Sequence, residues 1–149
     1  MTVAGATPPD EALGQLQETL LGAVLSRDFL PGGRQPVEMP DLSFVLRQSP
    51  VLLSNENLAR SLLLEELPVP IRVISPEGIV EKAHASGDIA YLRFQPVQVE
   101  GEVVGLTLEA RIVPQDPNVH ALGLSGIQAN FRRVEGGWET VDEPRFFAT

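Results

Sequence analysis

The stretch HALGLSGIQANF, His120 to Phe131, holds the arrangement in this chain that most resembles chemistry. Within it, Gly123-Leu124-Ser125-Gly126-Ile127 is one residue short of the G-x-S-x-G turn that presents a nucleophilic serine, and one of the two histidines lies close by. A hydrolase would need that serine within hydrogen-bond reach of a base, at about 3 Å. On one extended strand, Ser125 and His120 stand roughly 17 Å apart with side chains on opposite faces. A nucleophile elbow also runs from a strand into a helix, whereas this segment continues as strand. Ser125 is therefore not expected to be a nucleophile, and no catalytic residue is assigned.

The elements that position this stretch follow from periodicity. Thr7 is expected to cap a helix whose first turn holds Pro8, Pro9 and Asp10, with Leu13, Leu16, Leu20, Val24 and Leu25 as its apolar stripe. LPGGRQP stops it, and DLSFVLRQ adds a short apolar turn before Ser49-Pro50. Ser54 is expected to cap a second long helix carrying Leu58, Leu62, Leu63 and Leu67, closed by Pro68 and Pro70. VPIRVIS reads as a strand, and Ser75-Pro76-Glu77 opens a helix that ends at Ser86-Gly87. From Ile89 onward the turns at Glu100-Gly101, PQDPN and Glu135-Gly136-Gly137 divide the chain into a four-stranded antiparallel meander.

Phase within the strands gives a register. Val104, Leu106, Leu108, Ala110 and Ile112 face one way. A turn at Glu100-Gly101 sets Val97 opposite Val104, and one extra residue at Gln95-Pro96 brings Phe94 opposite Leu106. Folding back through PQDPN sets Ile112 opposite His120, after which the apolar set changes phase at Ser125-Gly126. Both sites are expected to be bulges, and two bulges in one meander imply a strongly curved sheet. The last hairpin places Phe131 against Val141, Arg133 against Glu139 and Trp138 against Val134. The expectation is one α+β domain over residues 1–149, with N-terminal helices in the concavity of the sheet. Residues 1–8 are expected to be loosely held and 144–149 to form a tail.

This order of elements, with FRRVEGGWETV as its final hairpin, resembles the cone-shaped nuclear transport factor 2-like superfamily. The resemblance implies helices enclosed by a bent sheet, and it covers about Asp10 to Val141. That group spans ketosteroid isomerases, polyketide cyclases and non-catalytic binding domains, so function does not follow from the fold. Ketosteroid isomerase uses aspartates and a tyrosine in an apolar pocket. Here the single tyrosine, Tyr91, falls on the polar sheet face, which counts against that chemistry.

Composition narrows the partners. Eleven Lys and Arg against twenty Asp and Glu give a net charge of −9, which repels nucleic acid and anionic membrane. With no cysteine and two unclustered histidines, no metal site and no cofactor are expected. No apolar run reaches a membrane span and the start of the chain does not read as a signal peptide, so a cytoplasmic protein is the expectation. His120 is the ligand-pocket candidate, at the mouth of the expected cone. Arg93, Glu109, Arg111 and Arg132 share the outer sheet face as interface candidates, joined by Trp138 at its end and by Phe146 and Phe147 in the tail. The resulting expectation is a non-catalytic binding or assembly domain, a homodimer with a protein partner or small apolar ligand. The alternative is a small-molecule enzyme or ligand-binding cone with its pocket near His120.

Overall fold

A computed structural model describes residues 8–37, 39 and 42–148. Three helices, α1 (Asp10–Ser26), α2 (Leu42–Leu46) and α3 (Pro76–Ser86), accompany seven strands. The strands are β1 (Val51–Ser54), β2 (Ile71–Ile74), β3 (Ile89–Phe94), β4 (Gln98–Glu100), β5 (Val103–Val113), β6 (Leu122–Val134) and β7 (Gly137–Ala148). They form one open sheet in the order β2-β1-β3-β5-β6-β7, with β4 also paired to β5. The fold is α+β and mostly antiparallel. Among the described residues, no helix is long and apolar enough to cross a membrane.

α1 buries the face that its apolar spacing implies. Leu16, Leu20, Leu21 and Val24 are fully buried, each contributing about 2 kcal/mol of transfer free energy. They pack on Leu92, Phe94, Leu106, Leu108, Ile127 and Phe131 from the sheet. The helix ends before the expected proline: Arg27 takes the left-handed conformation and Asp28 N–H bonds back to the Ala23 carbonyl at 2.9 Å. Pro9 stands at the N-cap position, and the expected cap Thr7 lies outside the described residues.

No long helix follows Ser54. Val51–Ser54 is instead a strand, parallel to β2 and to β3, and residues 55–70 form irregular turns. Ser54 Oγ accepts from Glu56 N–H two residues on, closing a turn rather than capping a helix. Tertiary hydrogen bonds hold the segment: buried Gln17 donates to the Asn57 carbonyl at 2.8 Å and accepts from Ala59 N–H at 2.9 Å. Asp10 accepts from the N–H groups of Arg60 and Ser61. The leucines that suggested a helix, including Leu58, Leu62 and Leu67, pack individually against the core.

α3 forms as expected, with Ser75 Oγ accepting from Gly78 N–H at 3.1 Å and Pro76 in the first turn. It lies on the other face of the sheet. There Ile79 and Ala83 meet Leu52, Ile89, Tyr91 and Val113 in a second, smaller core. Tyr91 is on the outer face, as expected, but is covered rather than solvated.

The β3–β5 pairing sets Phe94 opposite Leu108 and Leu92 opposite Ala110, two residues from the expected register. The chain turns at Gly101-Glu102 rather than Glu100-Gly101, and Gly101 takes a φ of 61° there. Sliding a turn by one residue moves the pairing by two, so each side chain keeps its face. The first bulge is present: residues 95–97 lie opposite Leu106 and Thr107, between the Phe94–Leu108 and Gln98–Gly105 pairs.

Candidate functional site

The second bulge answers the serine question. Arg111 pairs with Gly123 and Ala110 with Ser125, leaving Leu124 as the extra residue. The phase changes one position before the expected Ser125-Gly126. Ser125 is 1% exposed on the helix-facing side, opposite Ala110 and Ala148, in a strand that runs on without entering a helix. Gly126 is there for another reason, since the Phe147 ring occupies the space where a Cβ would stand. The GLSG stretch is thus a bulge followed by the seat of an aromatic ring.

His120 does not pair with Ile112, whose partner is Leu122. The bulge and the longer β5–β6 connection leave His120 exposed ahead of β6, rather than on the helix-facing side of a strand end.

The outer face does bring Arg93, Glu109 and Arg111 together. Glu109 is 6% exposed and central to the group. Arg93 reaches it at 2.5 Å and Arg111 at 3.4 Å, while Gln95 donates to its second oxygen at 3.2 Å. Arg111 Nε also donates to the Tyr91 hydroxyl at 3.2 Å, and Glu56 lies 3.9 Å from Arg93. Both Glu109 oxygens are paired within the chain, while Arg93 Nε is buried without a hydrogen-bond partner, and the cluster anchors the sheet's outer face. Cross-strand register explains its form, since Arg93 pairs with Glu109 and Tyr91 with Arg111.

The last hairpin departs from expectation by one residue. Phe131 pairs with Thr140, Arg132 with Glu139 and Arg133 with Trp138. Arg132 and Glu139 form an ion pair on the outer face, which raises the arginine's already high pKa through hydrogen bonding and charge. A slip of one residue reverses the face of a side chain. Trp138 accordingly lies on the helix-facing side, against the main core, and not at the end of the outer face. Arg133 sits over its ring at 5.9 Å.

β7 continues through the segment expected to be a tail. Asp142, Glu143 and Pro144 lie opposite the single residue Ala129, with Asp142 at a φ of 63°, after which pairing resumes. Phe146 pairs with Ile127 on the helix-facing side and Phe147 with Gly126 on the outer face. Residues 144–149 were expected to be a tail because the three-residue bulge at 142–144 hides the return to register.

Sequence reasoning missed a groove along α1. One part, of about 520 Å³, lies between the start of α1 and the β6–β7 turn, lined by Ala12, Gln15, Arg133 and Trp138. Another, of about 630 Å³, runs on past Gln15 and Trp138 to Gly22, Phe29 and Pro68. Glu18 and Glu66 face each other there. Burial, then the hydrogen bond and charge of Glu66, push the Glu18 carboxyl above its ordinary range. The acidic residues were visible in the sequence, but their meeting required residues 55–70 to fold across α1.

In comparisons with protein families, curated proteins and solved structures, the chain matches none.

Proposed function

We propose that this chain is a non-catalytic binding and assembly domain that pairs with a second copy through the C-terminal end of β7. The observation carrying this reading is that Phe146 and Phe147 are 43% and 37% exposed on opposite faces of the last strand of the sheet. Val119 and Leu122, also exposed, lie at the same end because β6 begins where β7 finishes. An apolar end on so acidic a protein is a reason to associate. The first half of β7 is already covered, since Thr140 N–H donates to the Pro31 carbonyl at 2.8 Å. This directs pairing to residues beyond Pro144.

The packing between α1 and the sheet supports a binding rather than catalytic reading. Leu16, Leu20, Phe94 and Phe131 fill that space, each no more than 1% exposed. Kinship with the nuclear transport factor 2-like group belongs to the same proposal, supported by α1 and α2 on one face of a bulged sheet. A cytoplasmic setting fits the lack of cysteine.

Sedimentation velocity at micromolar concentration tests the reading. A dimer is expected, and the Phe146→Ser, Phe147→Ser double variant becomes monomeric with an unchanged circular dichroism spectrum. An unmodified chain that sediments as a monomer at tens of micromolar overturns the proposal.

A further inference from the structure

α1 contains two interior glycines, and their surroundings differ in a way that bears on the groove. A glycine inside a helix is destabilising relative to alanine, so its presence asks for a reason. At Gly14 the fold accounts for it, because a Cβ would collide with Ser61 Oγ and stand 3.2 Å from the Leu62 backbone nitrogen. At Gly22 a Cβ would meet only Leu67 Cδ2, at 3.9 Å. Packing within the chain does not require Gly22. What the missing side chain leaves open is the floor of the groove beside Trp138 and Phe29.

The walls specify a chemistry. Trp138 is half-buried and Phe29 is 53% exposed, giving two apolar surfaces along the groove. The rim is acidic: Glu11 and Glu135 at one end, Glu18 and Glu66 in the middle, Asp28 at the other. Arg133 is the cation among the lining residues, and it is held over the Trp138 ring. From Glu11 to Ser26 the helical rise gives a length of about 22 Å, enough for roughly seven extended residues.

From this groove, its acidic rim and its unfilled glycine floor, we infer that α1 and the β6–β7 hairpin bind an extended basic segment of another protein. Lysine or arginine side chains of that segment meet the rim carboxylates. Its proline or aliphatic side chains lie on Trp138 and Phe29. Glu18 and Glu66 face each other, and a cation bound between them offsets their like-charge repulsion. The site deepens the binding half of the proposed function and is independent of its dimer half, because the groove lies on the α1 side of each copy.

Trp138 is the only tryptophan, so its fluorescence reports on the site directly. The probe is a twelve-residue peptide, Lys-Pro-Lys-Leu repeated three times, titrated into the full chain at low salt. The expected result is a saturable change in Trp138 emission at micromolar peptide, weakened at least tenfold by 0.5 M salt. The same peptide with glutamate for lysine gives no change. Gly22→Leu fills the floor without altering charge and abolishes the response, while its melting temperature stays at or above the parent's. Phe29→Ala, at an exposed position, weakens binding about fivefold and serves as a second test of the wall. The proposal is overturned by no saturable response up to millimolar peptide. It is equally overturned if both variants bind as the parent does, which would mean diffuse attraction to an acidic surface. A concentration-dependent Trp138 change without peptide assigns the groove to a second copy and also overturns it. Sedimentation of the same samples separates that outcome from failure of the β7 dimer.

Discussion

Gln17→Leu tests whether tertiary hydrogen bonds, and not helical propensity, hold residues 55–70 in place. Gln17 is 1% exposed, and its amide satisfies both the Asn57 carbonyl and the Ala59 N–H. Leucine preserves helix propensity and approximate volume in α1 but leaves both backbone groups without that partner. Each buried polar group left unsatisfied costs about 1–3 kcal/mol. Water reaching the Asn57 side, which is only part-buried, lowers the total, so the expected loss is about 2–4 kcal/mol. For a domain of this size that is a fall in melting temperature of roughly 5–15 °C. Urea unfolding should show a lower midpoint at an unchanged slope, since the surface exposed on unfolding is the same. Amide exchange at Ala59 should accelerate more than at Leu92 in the core. A loss below about 0.5 kcal/mol, or unchanged protection at Ala59, would refute the reasoning.

Other consequences are equally open to measurement. Glu109→Gln leaves Arg93 and Arg111 facing an uncharged amide and should cost about 2–3 kcal/mol in urea unfolding, less than a fully buried pair because both arginines keep some solvent contact. Ser125→Ala should leave a fluorophosphonate probe as unreactive as it is with the parent, and specific labelling at Ser125 would overturn the bulge assignment. The raised pKa of Glu18 means that its stabilising contribution is present in full below the ordinary value of 4.5 and is lost as pH rises through the folded value. Glu18→Gln should therefore melt higher than the parent at pH 7, with the difference shrinking as pH falls below 4.5. Asp10 is shifted the other way, first by the Arg60 backbone N–H, so its contribution is present above 3.8 and fades as pH falls through its lower folded value. Asp10→Asn should flatten that acid limb of a melting-temperature profile.

The amino-acid sequence by itself determined whatever repeats within one element. The Leu16–Leu20–Val24 stripe of α1, the Ser75 cap of α3 and the alternation along β5 are all local periods, and each forms as its spacing implies. Even the first bulge was legible, because a turn displaced by one residue shifts pairing by two and leaves every face unchanged. Tertiary structure decided wherever two distant segments compete for one stretch of chain. Ser54 and the leucines after it read as a capped helix by their spacing. Pairing with β2, together with the side chains of Gln17 and Asp10, satisfies their backbone groups in a different form. Trp138 shows the same limit at the scale of one residue. Its face depends on whether Arg133 or Val134 stands opposite, and the apolar pattern of a short, charged hairpin does not distinguish the two. That single step moves Trp138 from the outer sheet to the wall of the α1 groove. The groove itself is made by α1, residues 55–70 and the β6–β7 hairpin meeting in space, so no local period in the chain could announce it.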